Sequence, residues 1–179
     1  MTPREWFALL REEGRRPRPP ADLPDLFADR HRTGLALDAL AVILSVSWAK
    51  GAGPNGWPLR ELPRDEWVRL FREVGYLYGG ARAPQMRPRE PRTLYRSAVP
   101  EYSRGLSWTT VPSDARFYGE RYDGPSACLY VIEADPEWML ARVPAHPFAP
   151  GGEYVVDIPT GAAVSLAEPA PRTLTEVRQ

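Results

Sequence analysis

The hydrophobic period of this chain changes across residues 82–92, and that change limits the folds open to it. Before it, Trp67, Leu70, Phe71 and Val74 recur at i, i+3, i+4 and i+7, the spacing of one helical face. Pro63 stands at a first helical position, and the helix ends near Gly75 to Gly79. From about 25 to 49, Leu35, Leu37, Leu40, Val42, Ile43, Leu44 and Val46 fall on nearly every side of a helix, so that helix is expected to be largely buried. Nearer the start, Thr2 caps a short helix from Pro3 that carries Trp6, Phe7, Leu9 and Leu10. The proline-rich segment 14–20 reads as an extended linker and 51–56 as a loop. Residues 1–80 are thus expected to be all-helical, within an N-terminal helical region of 1–85.

After Pro91 the short runs are rich in β-branched and aromatic residues: 93–97, 127–134, 138–143, 153–158 and 162–166 read as strands. One helix interrupts them at 112–121, capped by Thr110 and turning Ala115 and Phe117 inward. Helices first and strands afterwards argue for an α+β fold, with 92–179 forming a mainly antiparallel sheet region. A parallel sheet flanked by helices on both faces is not expected.

Composition removes several function classes. The 23 basic and 23 acidic residues cancel, so no global field recruits nucleic acid or an anionic membrane. All basic residues but Lys50 are arginine, a bias attributable to base composition. The single cysteine, Cys128, lies in an apolar run and reads as a structural thiol. His31 and His146 are far apart and too few for a metal site; His146 reads as a solvated loop residue. No apolar signal segment follows Met1, and the stretch 35–48 is too short and polar to span a bilayer, so a cytoplasmic protein is expected. Glycine-rich phosphate loops, His-Glu-x-x-His and Gly-x-Ser-x-Gly are missing from the sequence.

Three short stretches carry chemistry. Arg96 follows Leu94-Tyr95 near a strand end, and an arginine there can hold a diphosphate bidentately. Ser107 stands in Gly105-Leu106-Ser107-Trp108-Thr109, where its hydroxyl can orient a carboxylate. Glu153 opens the apolar strand Tyr154-Val155-Val156, and a carboxylate there can stabilise an oxocarbenium-like sugar.

The order Arg96, Ser107, Glu153, with the helix Ala115-Arg116-Phe117 between, resembles the Arg-Ser-Glu (cholera-toxin-like) class of mono-ADP-ribosyltransferases over about residues 93–163. The resemblance implies a split, mainly antiparallel β-sandwich and NAD as co-substrate, with no metal. It implies Glu153, Ser107 and Arg96 as catalytic residues, and Arg96, Ser97, Ser107, Trp108 and Thr109 as the NAD-binding set. Arg96 would hold the phosphates, main-chain groups at Ser97 would bind the nicotinamide amide, and Trp108 would be structural or stack in the nicotinamide pocket. Ser97 stands where the family often has glycine, and Gly151 stands where arginine-modifying members carry a second Glu. The acceptor, whether protein, nucleic acid or small molecule, is therefore left open, as is simple NAD hydrolysis. The resemblance further implies a bacterial toxin or effector restrained by an inhibitor protein, for which Trp6, Phe7, Trp48, Trp57 and Trp67 offer apolar surface. The competing expectations are a catalytically inactive binding or structural module and a partner- or nucleic-acid-binding helical half.

Overall fold

A computed structural model of the chain describes residues 23–28, 34–50, 62–143 and 151–169. The expected features at 1–22, at 51–56, and at His31 and His146 lie outside the described residues. The chain is mixed helix and strand, and it divides into two compact units, Met1–Met86 and Arg87–Gln179.

In the first unit the expected helix over 25–49 is instead two: α1 (Leu23–Ala28) and α2 (Leu37–Lys50). Gly34, at φ +65, adopts a left-handed turn that a continuous helix forbids. On α2, Leu40, Ala41, Ile43, Leu44 and Trp48 are buried and Val42 is exposed, so one face meets solvent after all. α3 (Arg64–Val74) buries Trp67, Leu70, Phe71 and Val74, the four residues of the predicted stripe. Its outer face carries Arg69, bound to Glu66 and Glu73, and the Arg69 guanidinium pulls the Glu66 carboxyl below its ordinary range. The ring of Trp48 meets Trp67 edge-on at 5.2 Å and Phe71 at 5.4 Å. Both tryptophans are buried, so neither supplies the partner surface expected of them.

The all-helical expectation for 1–80 fails at its end. β1 (Leu77–Tyr78) and β2 (Ala81–Arg82) form an antiparallel hairpin around Gly79-Gly80, both at positive φ. Arg82 then donates to the Val74 carbonyl at 2.7 Å, satisfying a carbonyl at the C-terminal end of α3.

In the second unit, β3 (Arg92–Ala98) pairs with β5 (Cys128–Ala134), and β5 with β8 (Ser165–Glu168). The last strand begins three residues beyond the expected 162 and is exposed throughout. A second set places β7 (Glu153–Val156) between β6 (Met139–Val143) and β4 (Ser107–Trp108). All these pairs are antiparallel. The two sets meet at one bridge, where Tyr95 and Thr109 exchange main-chain hydrogen bonds of 2.7 and 2.9 Å.

Helix α4 (Pro112–Tyr122) packs on β3. Its cap is not Thr110: Val111 takes the N-cap position with no side-chain bond, and Thr109 Oγ1 accepts from the Val111 N–H. Ala115 is buried as expected but Phe117 is exposed, because the contact face passes through Gly119 instead. A Cβ on Gly119 would stand 2.1 Å from the Ser97 hydroxyl, so only glycine admits this approach.

Candidate functional site

Alternation along β3 puts Leu94, Arg96 and Ala98 on its buried face. A guanidinium in an apolar row must find partners. Arg96 Nε donates to the Tyr102 carbonyl at 2.8 Å and one terminal nitrogen to the Ser107 carbonyl at 2.9 Å. Gly105 makes the room, since a Cβ there would lie 2.6 Å from the guanidinium carbon. Burial pulls Arg96 down to about 10, opposed by the negative charges of Asp123 and Glu153. The residue stays cationic at neutral pH, only 5% exposed. Expected to face a diphosphate, Arg96 is instead turned by the fold toward the main chain of the segment leading to Ser107.

Ser107 and Glu153 open strands β4 and β7. Val155 lies across from Ser107, and Glu153, two residues earlier on the same face, meets the serine diagonally. The Ser107 hydroxyl donates to Glu153 Oε1. Both side chains are partly exposed, so a solute can reach them. Arg96, Ser107 and Glu153 thus form one relay, guanidinium to carbonyl and hydroxyl to carboxylate, across 57 positions of sequence.

Three residues not singled out from sequence complete the surroundings. Tyr118 on α4 has its phenol pushed up by burial and then by the charge of Glu153, with Tyr122 and Asp114 adding to the effect. Its ring stacks on Tyr122 with centroids 6.0 Å apart. Buried Asp114 accepts a 2.9 Å hydrogen bond from the Gly151 N–H. Arg142 on β6 donates to the carbonyls of Val143, Gly151 and Glu153 and lies over the Tyr154 ring, 4.4 Å from its centroid. The sequence signal for Asp114 and Tyr118 was their i, i+4 spacing, continued to Tyr122 at i+8, which puts them along one side of a helix; no such signal marked Arg142.

The rest of the expected NAD-binding set is buried at Trp108 and Thr109 and half-buried at Ser97. Trp108 is 2% exposed and its indole N–H donates to the Gly105 carbonyl at 2.7 Å. Thr109 is buried by the bridge to Tyr95. Ser97 pairs with Leu129 in the β3–β5 ladder and turns its hydroxyl to Gly119. Among the described residues no three His, Cys, Asp or Glu side chains gather as a metal site, and no helix is long and apolar enough to cross a membrane. Compared with protein-family models, curated proteins and solved structures, the chain matches none.

Proposed function

We propose that this chain is an NAD-dependent mono-ADP-ribosyltransferase of the Arg-Ser-Glu kind, its second unit a split, mainly antiparallel sandwich. The observation that carries the reading is the Arg96–Ser107–Glu153 relay, with its accessible carboxylate at the end. NAD supplies a ribose whose bond to nicotinamide breaks with build-up of positive charge. Glu153 stabilises that charge, Ser107 fixes the carboxylate in one rotamer, and Arg96 holds the strand that carries Ser107.

Transfer passes the ADP-ribosyl group to an acceptor nucleophile and releases nicotinamide; with water as acceptor the same site is an NAD glycohydrolase. The acceptor is a protein side chain, a nucleic acid or a small molecule. Arginine is the least favoured, because position 151 offers no second carboxylate and a Cβ there would lie 2.5 Å from Val111. Inside a bacterial cell such an enzyme would act as an effector or toxin held by an inhibitor protein.

A second reading, an inactive binding module, is favoured by one specific observation: Arg96 commits two donor nitrogens to main-chain carbonyls instead of facing solvent. Incubating the purified chain with NAD labelled in the adenosine half and a cell lysate separates the readings. The enzyme gives nicotinamide release and label transfer that both collapse in Glu153→Gln. Equal signals from the two proteins leave the module.

A further inference from the structure

The turn that delivers Glu153 is held from both sides. Gly152 sits at φ +62, where a Cβ would lie 2.3 Å from an Arg142 nitrogen and 2.7 Å from the Val143 carbonyl. The Gly151 N–H points to Asp114, which comes from the first turn of α4, while the Gly151 carbonyl points to Arg142, which comes from the end of β6. Arg142 also reaches the Glu153 carbonyl at 3.3 Å, so one guanidinium ties the Val143 carbonyl to those of Gly151 and Glu153. A side chain at 151 would begin 2.5 Å from a Val111 methyl and 3.0 Å from the Asp114 carboxylate. Arg142 thus leaves position 152 to glycine, and Val111 with Asp114 leaves 151 to glycine.

We propose that Asp114 and Arg142 are positioning residues: together they clamp the Gly151–Gly152 turn and thereby set the Glu153 carboxylate against Ser107. Neither has to touch the substrate. The Glu153 main chain is bound by Arg142 and its side chain by Ser107, so release of the turn loosens the carboxylate at its base. The consequence for turnover rests on the NAD-cleaving reading; the clamp itself does not. What Asp114 supplies is an acceptor oxygen for one N–H, and its negative charge is not required. What Arg142 supplies is a planar fork reaching several carbonyls, which a lysine ammonium cannot span.

The test uses the full-length chain with Asp114→Ala, Asp114→Asn, Arg142→Met and Arg142→Lys, read by nicotinamide release from NAD and by amide hydrogen exchange at Gly151 and Glu153. Asp114→Ala and Arg142→Met should lower kcat about 10- to 100-fold, the cost of a displaced catalytic group, with KM for NAD nearly unchanged. Asp114→Asn should restore most of the rate and the protection of the Gly151 amide, whereas Arg142→Lys should not restore its own. An Asn variant as poor as Ala, or a loss confined to KM, overturns the proposal. Should Asp114→Ala fail to fold, the Arg142 pair and the Asn variant still decide. If the wild type releases no more nicotinamide than Glu153→Gln, the proposed function falls and exchange alone judges the clamp: an equally protected Gly151 amide in wild type and Asp114→Ala overturns it.

Discussion

Trp48, Trp67 and Phe71 join the helices of the first unit by ring contacts, whereas around Ser107 and Glu153 in the second Arg96, Arg104 and Arg142 add bonds to main-chain carbonyls. The first device is non-directional: burying apolar area stabilises an arrangement without specifying where one atom sits. The second is directional and costs desolvation of each guanidinium, which only well-placed acceptors offset. Arg104, for instance, ties the approach to β4 to the carbonyls of Pro159 and Ala162 beyond β7. A pair such as Ser107 and Glu153 needs the second kind of support, since its value depends on where two oxygens stand.

Trp67→Ala removes a fully buried ring and should cost about 3–5 kcal/mol in denaturant unfolding of the first unit. A cost below about 1 kcal/mol would mean the ring cluster is not what holds that unit. Next in size, Glu153→Gln should lower nicotinamide release about 100- to 1000-fold, equivalent to roughly 2.7–4 kcal/mol, with the fold retained by circular dichroism. Arg96→Met follows. It leaves the Tyr102 and Ser107 carbonyls without their donor and should destabilise by about 1–3 kcal/mol on chemical denaturation. A Met variant more stable than the wild type would show instead that desolvation of the guanidinium outweighs its hydrogen bonds.

The smallest effect is alkaline. Below the ordinary tyrosine value of about 10 both folded and unfolded chains keep the Tyr118 proton, and its raised value changes nothing. Above it the unfolded chain ionises first, so stability falls as pH rises until the folded phenol ionises too. Tyr118→Phe should flatten that decline and remove one late-titrating phenol from the ultraviolet pH titration. If the phenol that Tyr118→Phe removes titrates with the ordinary tyrosines, neither burial nor the Glu153 charge raises Tyr118.

The helical stripe Trp67, Leu70, Phe71, Val74 was legible because a 3.6-residue period survives whatever packs against it. The hairpin at 77–82 was not: two-residue strands are too short for a period, and only the Gly79-Gly80 pair marked the turn. Arg96 is the instructive case. Its alternation with Leu94 and Ala98 was visible and points inward, yet an arginine beside a suspected substrate invites an outward reading. Phe117 failed similarly, because the tight contact on that helix runs through Gly119, a residue with no side chain to announce it.

Sequence alone determined the switch from helical to strand period, the antiparallel α+β class, and the identities of Arg96, Ser107 and Glu153 as the residues to examine. Those follow from local spacing and side-chain chemistry. Tertiary structure decided that the serine hydroxyl meets the glutamate, that the arginine braces rather than reaches outward, and that Asp114 and Arg142 grip the turn between them. Each of these is a hydrogen bond to an atom remote in sequence or on the main chain itself. Every residue carries the same main-chain donor and acceptor, so only the register of the folded strands selects which one a side chain finds.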